Sequence, residues 1–150
     1  MGSMLRRGVA VIAGLVAGSA VNMGLILAGA SIISPPPGAD VTTAEGLKAS
    51  LHLFEARHFV FPFLAHAVGT FVGAAVATWL APGRTSGPAW IVGTLFLFAG
   101  IANVVMLPAP VWFSAVDLLL AYLPAAWLGH RVAAGRARAA DGLPSSVVPR

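Results

Sequence analysis

Residues 7–33 read RGVAVIAGLVAGSAVNMGLILAGASII, and after Arg7 no aspartate, glutamate, lysine or arginine occurs before Asp40. A helix needs about 20 mostly apolar residues to cross a hydrocarbon core about 30 Å thick, so this stretch predicts a membrane-spanning helix. Its apolar run exceeds the roughly 7–15 residues of a secretory signal core, although Ala28-Gly29-Ala30 has the form of a cleavage site. The helix must stop at Pro35-Pro36-Pro37-Gly38, because proline fixes φ and lacks the amide that a further turn needs.

The same scarcity of charge recurs along the chain. No aspartate, glutamate, lysine or arginine lies between Arg57 and Arg84, and of these four residue types Asp117 alone interrupts the stretch from Arg84 to Arg131. Spans are therefore predicted over residues 7–33, 59–80, 88–107 and 111–130, forming one all-α domain, an integral membrane four-helix bundle. Pro62 falls in the first turns of the second span, and Pro82-Gly83 ends it. Ser86-Gly87-Pro88 suits the start of the third, serine as cap and proline in the first turn. Pro124 predicts a kink in the fourth. Composition agrees: 9% charged residues and a mean hydropathy of +0.87, against about a quarter charged residues in soluble domains.

Between the first two spans, Thr42-Thr43-Ala44-Glu45 has the pattern of a capping box with Thr42 as the cap. Behind it Leu47, Leu51 and Phe54 recur at helical spacing, which predicts a short amphipathic outer helix over residues 43–57, at the interface or across the bundle mouth. Met1-Gly2-Ser3 ahead of Met4 has the form of an appended leader, and Val147-Val148-Pro149-Arg150 that of a residual tag site. The tail, residues 131–150, is expected to be disordered or tag-derived.

Arg6, Arg7, Arg84, Arg131, Arg136 and Arg138 fall on one side of the predicted spans, and only Lys48 and Arg57 on the other. The positive-inside rule makes the first side cytoplasmic, giving a multi-pass protein of the inner (cytoplasmic) membrane with both termini inside. Trp79, Trp90 and Trp127 at inner helix ends and Trp112 at an outer one fit the aromatic belts. These bases also explain the pI of about 11.2 without nucleic acid as a partner. The absence of cysteine excludes disulfides, thiolate nucleophiles and iron–sulfur clusters.

Gly14 and Gly18 in the first span, and Gly69 and Gly73 in the second, each form a G-x-x-x-G, which lets helix backbones approach closely in lipid. A tight contact between these two helices is expected. Residues 52–66 hold three of the four histidines. On one continuous helix Glu55 and His66 would nearly eclipse, with His52 and His58 about 60° to either side. Glu55-x-x-His58 also has the i, i+3 spacing of helical-bundle metal sites, so Glu55, His58 and His66 are candidate metal ligands. The competing reading makes Glu55, Arg57, His52 and His58 a hydrated outer patch, with His66 hydrogen-bonded inside the bundle.

Asp117 is the sharper signal. A carboxylate near the middle of a spanning helix costs about 2.5–3.5 kcal/mol on insertion scales and must face protein or water. Counting about 1.5 Å per residue puts Asn103, Asp117 and His66 in the outer half and Asn22 near the midplane. Ser114 shares the Asp117 side of its helix, and Tyr122 lies deeper. Asp117 is expected either to clamp helices through Asn103 or His66, or to serve a ligand. His130, beside Arg131, needs only a headgroup or helix-dipole role, and with one deep histidine bis-imidazole haem is not indicated.

Size and helix count are shared with small multidrug transporters and with membrane-associated eicosanoid and glutathione enzymes. The first would need a carboxylate where Asn22 stands, and the second an arginine-rich set that is absent. The runs Pro35-Pro36-Pro37-Gly38-Ala39-Asp40 and His58-Phe59-Val60-Phe61-Pro62-Phe63-Leu64-Ala65-His66-Ala67-Val68-Gly69-Thr70 resemble those of uncharacterised small bacterial four-helix integral membrane proteins. That resemblance implies no activity, cofactor or residue role.

The expected function is a module that binds or transports a small ligand, lipid, cation or proton. Its pocket would lie in the outer half of the bundle, lined by His66, Asp117, Asn103 and Asn22, with Glu55 and His58 at the mouth. One copy makes a thin wall, so a homo-oligomer is expected of a transporter. The alternatives are a membrane enzyme acting on a lipid or isoprenoid, with His66 as general base oriented by Asp117, and a scaffold subunit of a larger membrane complex.

Overall fold

The computed structural model describes residues 2–141, and the elements among them are all helical. They are α1 (Ser3–Ile32), α2 (Ala44–Ser50), α3 (Val60–Leu80), α4 (Gly87–Met106), α5 (Val111–Leu120) and α6 (Leu123–Asp141), with 3-10 turns at Leu51–Leu53, Ala56–Phe59 and Pro82–Arg84. Four helical stretches, Ser3–Ile32, Ala56–Leu80, Gly87–Met106 and Val111–Arg136, are long and apolar enough to cross a membrane. α6 continues through Asp141, so the first part of the expected tail is helical. The remainder, residues 142–150, lies outside the described residues.

α3 is the central helix and packs against α1, α4 and α6. The glycine reading holds atom for atom. A Cβ on Gly73 would stand 2.8 Å from the Gly14 carbonyl oxygen, and one on Gly69 would stand 2.9 Å from that of Gly18. The pairing of 14 with 73 and 18 with 69 is the register of two antiparallel helices in backbone contact. Small residues fill the rest of the seam: Ala74, Ala89 and Ala126 form the buried cluster among α3, α4 and α6. Large apolar side chains point outward instead, among them Val16, Leu27, Phe98, Val105 and Leu119. This inversion suits a solvent that is itself apolar, where close approach of backbones replaces hydrophobic burial as the source of cohesion.

Three local expectations are corrected. Thr43, not Thr42, caps α2, its Oγ1 accepting from the Gly46 amide at 2.9 Å. Thr42 is held by Asp40, which accepts from its amide at 2.9 Å and its hydroxyl at 2.6 Å. Those two bonds, the hydroxyl's first, hold the Asp40 carboxyl below the usual carboxylate range. Ser86 stands at the N-cap of α4 without a side-chain bond. The amphipathic helix is also shorter than the predicted 43–57. Phe54 and Glu55 are extended, so the segment breaks into α2, a 3-10 turn and a second 3-10 turn leading into α3.

The fourth span breaks at Ala121-Tyr122. Pro124 has no amide for the Leu120 carbonyl, and its ring crowds that carbonyl, which opens the helix one turn before the proline.

Candidate functional site

Asp117 lies on α5 at 2% exposure. It is answered from two directions. His66, on α3, places Nδ1 2.9 Å from both carboxylate oxygens, and the Tyr122 hydroxyl donates to Oδ2 at 3.0 Å. The clamp expected of Asp117 therefore forms with His66 and not with Asn103. The His66 and Tyr122 rings stack at 5.7 Å, so three side chains make one compact polar group.

Tyr122 reaches Asp117 because of the helix break. On a continuous helix a residue five positions on sits about 140° round the axis, facing away. Pro124 opens the turn and lets Tyr122 swing back toward α3. α4 makes room at Gly100, where an added Cβ would collide with the Tyr122 hydroxyl. Neither Tyr122 nor Gly100 was among the residues singled out from sequence for the site; the usable signal was a lone tyrosine two residues before a proline in an apolar span.

A carboxylate accepts hydrogen bonds and donates none. With Tyr122 donating to Oδ2, Asp117 takes a second donor, Nδ1–H of His66. The neutral imidazole then has its lone pair on Nε2, across the ring from Asp117. Among the described residues the buried side-chain nitrogen or oxygen without a partner is Ser114 Oγ. Nε2 of His66, which also has no partner, is thus not sealed, and the His66 side chain is 18% exposed.

What it faces is a cavity of about 490 Å³ at the end of the bundle that carries the 33–59 loop. α1 contributes Asn22, α3 contributes His66 and Thr70, α4 contributes Asn103, and the loop segment roofs it with Leu47, Leu51, Phe54 and His58. Asn103 and Ala99 line the cavity and are nonetheless exposed, so it opens to the outside along α4.

Four of the six residues predicted to bind ligand, His66, Asn22, Asn103 and His58, line this cavity. Asp117 does not line it and stands behind the wall, bonded to His66. Glu55 is not brought to it: its carboxylate pairs with Arg57 at 3.0 Å, both side chains about two-thirds exposed. Glu55 and His58 instead form a capping box for the turn into α3, in which the Glu55 amide donates to His58 Nδ1 at 2.9 Å. Their i, i+3 spacing thus serves the backbone. His52 points elsewhere, with Nδ1 against the Ala49 carbonyl at 2.8 Å. The single face that one continuous helix would give His52, Glu55, His58 and His66 does not form, because the chain is extended at Phe54-Glu55. Among the described residues no three His, Cys, Asp or Glu side chains gather as metal ligands would. At the opposite end, Thr78 Oγ1 and His130 Nδ1 lie 3.2 Å apart, a tie between α3 and α6.

No protein family, curated protein or solved structure matches the chain.

Proposed function

We propose that this is a multi-pass protein of the cytoplasmic membrane, both termini inside, that binds a small lipophilic ligand in the cavity at its outer end. His66 is the group that meets the ligand's polar atom. One observation carries the reading: a histidine whose Nδ1 is held by a buried carboxylate presents its other nitrogen to a cavity of about 490 Å³, within the size range of small-molecule sites. A cation bound directly on Asp117 is disfavoured, since both of its oxygens already accept from protein groups. A proton is different, because Nε2 can take one while Asp117 stabilises the imidazolium.

The same geometry favours a second reading, a membrane enzyme that uses His66 as general base. Asp117 would then fix the tautomer and orientation of the ring. Turnover of a lipid or isoprenoid substrate, abolished in His66→Gln, would establish it. A scaffold role called for a closed and self-satisfied polar cluster, and the open cavity weighs against it. The binding reading needs only one copy, whereas transport would call for an oligomer, so a strict monomer mass in detergent favours binding.

The test is thermal unfolding in detergent across a panel of lipophilic compounds. A compound at a hundred times its dissociation constant stabilises by about 2.7 kcal/mol. It should do so for the wild type and not for Ala99→Trp, which fills the cavity from an exposed wall position. A panel that never separates the two proteins would remove the binding reading.

A further inference from the structure

We propose that the ligand class is a lipophilic phenol, held with its ring among the cavity's aromatic side chains and its hydroxyl donating to Nε2 of His66. The inference rests on the binding reading and narrows it.

The donor requirement comes from the order of hydrogen bonds. The Tyr122 hydroxyl donates a hydrogen bond to Oδ2 of Asp117 and the Nδ1–H of His66 donates to the same carboxylate, which leaves Nε2 as an acceptor. A ligand that meets the neutral ring must bring an O–H or N–H. A second condition is set by the surroundings. A ligand entering beside Ala99 and Asn103 comes from the lipid side of α4 in the proposed membrane, so a charged donor would pay heavily for desolvation. Amines and carboxylic acids are ionised near neutral pH, whereas a phenol, with a pKa of about 10, arrives neutral and is a stronger donor than an aliphatic alcohol. The shape of the site supplies the third condition. Phe54, Phe59, Phe96, Phe113 and Tyr122 all line the cavity. Phe59 and Phe113 already lie 4.7 Å apart in a tilted pair, and aromatic pairs favour offset or edge contacts with a further ring.

A lipid phenol with an isoprenoid tail and a free aromatic phenol share this chemistry, so the experiment separates them. Binding of 2-naphthol, its methyl ether and its fully reduced analogue decahydro-2-naphthol is measured on the full chain in nanodiscs, with wild type, Asp117→Asn and Ala99→Trp. In the wild type 2-naphthol should bind about tenfold more tightly than the ether, the effect of one hydrogen bond to the ring, and more tightly than the reduced alcohol. Asp117→Asn should abolish or reverse the preference over the ether, because an amide donating to Nδ1 moves the ring proton to Nε2. Displacement of 2-naphthol by a phytyl-tailed chromanol assigns the site to a lipid phenol, and its failure to compete assigns a free one; both outcomes support the shared chemistry. Equal affinity for 2-naphthol and its ether, both excluded by Ala99→Trp, would overturn the phenol inference and leave the binding reading standing. So would a panel compound that binds in the cavity when no arene does. If nothing binds, both fall together.

Discussion

His66 has its chemistry set by what stands behind it. Asp117 accepts from the ring and from Tyr122, so replacing it with asparagine does more than remove a charge. The amide oxygen can keep one donor, but its NH2 group confronts the other. The low-energy solution turns His66 to the opposite tautomer, with Nδ1 accepting and Nε2–H facing the cavity. Asp117→Asn should therefore fold with stability close to wild type while the imidazole nitrogens exchange their protonation states. Nitrogen NMR of labelled histidine reads this directly, and an unchanged His66 tautomer would refute the assigned hydrogen-bond order. Asp117→Ala should be worse, stranding two donors at a loss of about 1–3 kcal/mol, seen as a lowered unfolding midpoint in detergent. Asp117 and His66 were legible in the sequence because an ionisable group in an apolar helix must find a partner. Tyr122 was not: Pro124 places the break, but the direction of the side chain depends on the room that Gly100 leaves for it on α4.

At the scale of elements, legibility followed the strength of local chemistry. The glycine motifs named the contact between α1 and α3 because only glycine permits that approach, and the structure places Gly14 against Gly73 and Gly18 against Gly69. Gly73→Ala should push the helices apart and destabilise by about 1–3 kcal/mol, the usual range for overpacking. Gly24→Ala on the same α1 meets nothing within 4 Å and should be neutral or slightly stabilising, as helix propensity dictates. Equal midpoints for the two variants would contradict the packing. The face that His52, Glu55, His58 and His66 would share on one continuous helix is lost because periodicity reports which residues could share a face, not whether the backbone stays helical between them. The roof turns at Phe54-Glu55, and His58 spends its Nδ1 on the Glu55 amide. His58→Leu keeps a bulky side chain at the cavity wall but strands that amide. Its hydrogen exchange should accelerate about tenfold for a bond contributing roughly 1 kcal/mol or slightly more. Protection unchanged at Glu55 would show that the capping box does not hold the roof.

Across the whole molecule, charge and aromatic placement argue for one orientation. The loop between α1 and α3 carries Lys48 and Arg57 against Asp40, Glu45 and Glu55, a net of 2 − 3 = −1, and Arg57 is already paired with Glu55. The opposite end gathers Arg6, Arg7, Arg84, Arg131 and Arg136, with the Arg131 guanidinium over the Trp127 ring at 5.1 Å. All four tryptophans are exposed, and Trp79, Trp90 and Trp112 stand at the ends of apolar helical stretches, where an amphipathic ring sits best between headgroups and acyl chains. In the proposed orientation the cavity lies toward the outer face and both termini toward the cytoplasm. Because the chain contains no cysteine, a single introduced thiol reports its side of the membrane without background. Ala49→Cys in the roof and Thr85→Cys in the α3–α4 turn are both at exposed positions. In intact cells an impermeant maleimide should label Ala49→Cys and spare Thr85→Cys, and detergent should make both reactive. Labelling of Thr85→Cys alone would invert the topology and turn the cavity toward the cytoplasm. Labelling of both before lysis would mean that the four apolar helices do not separate two compartments, and the membrane reading itself would fail.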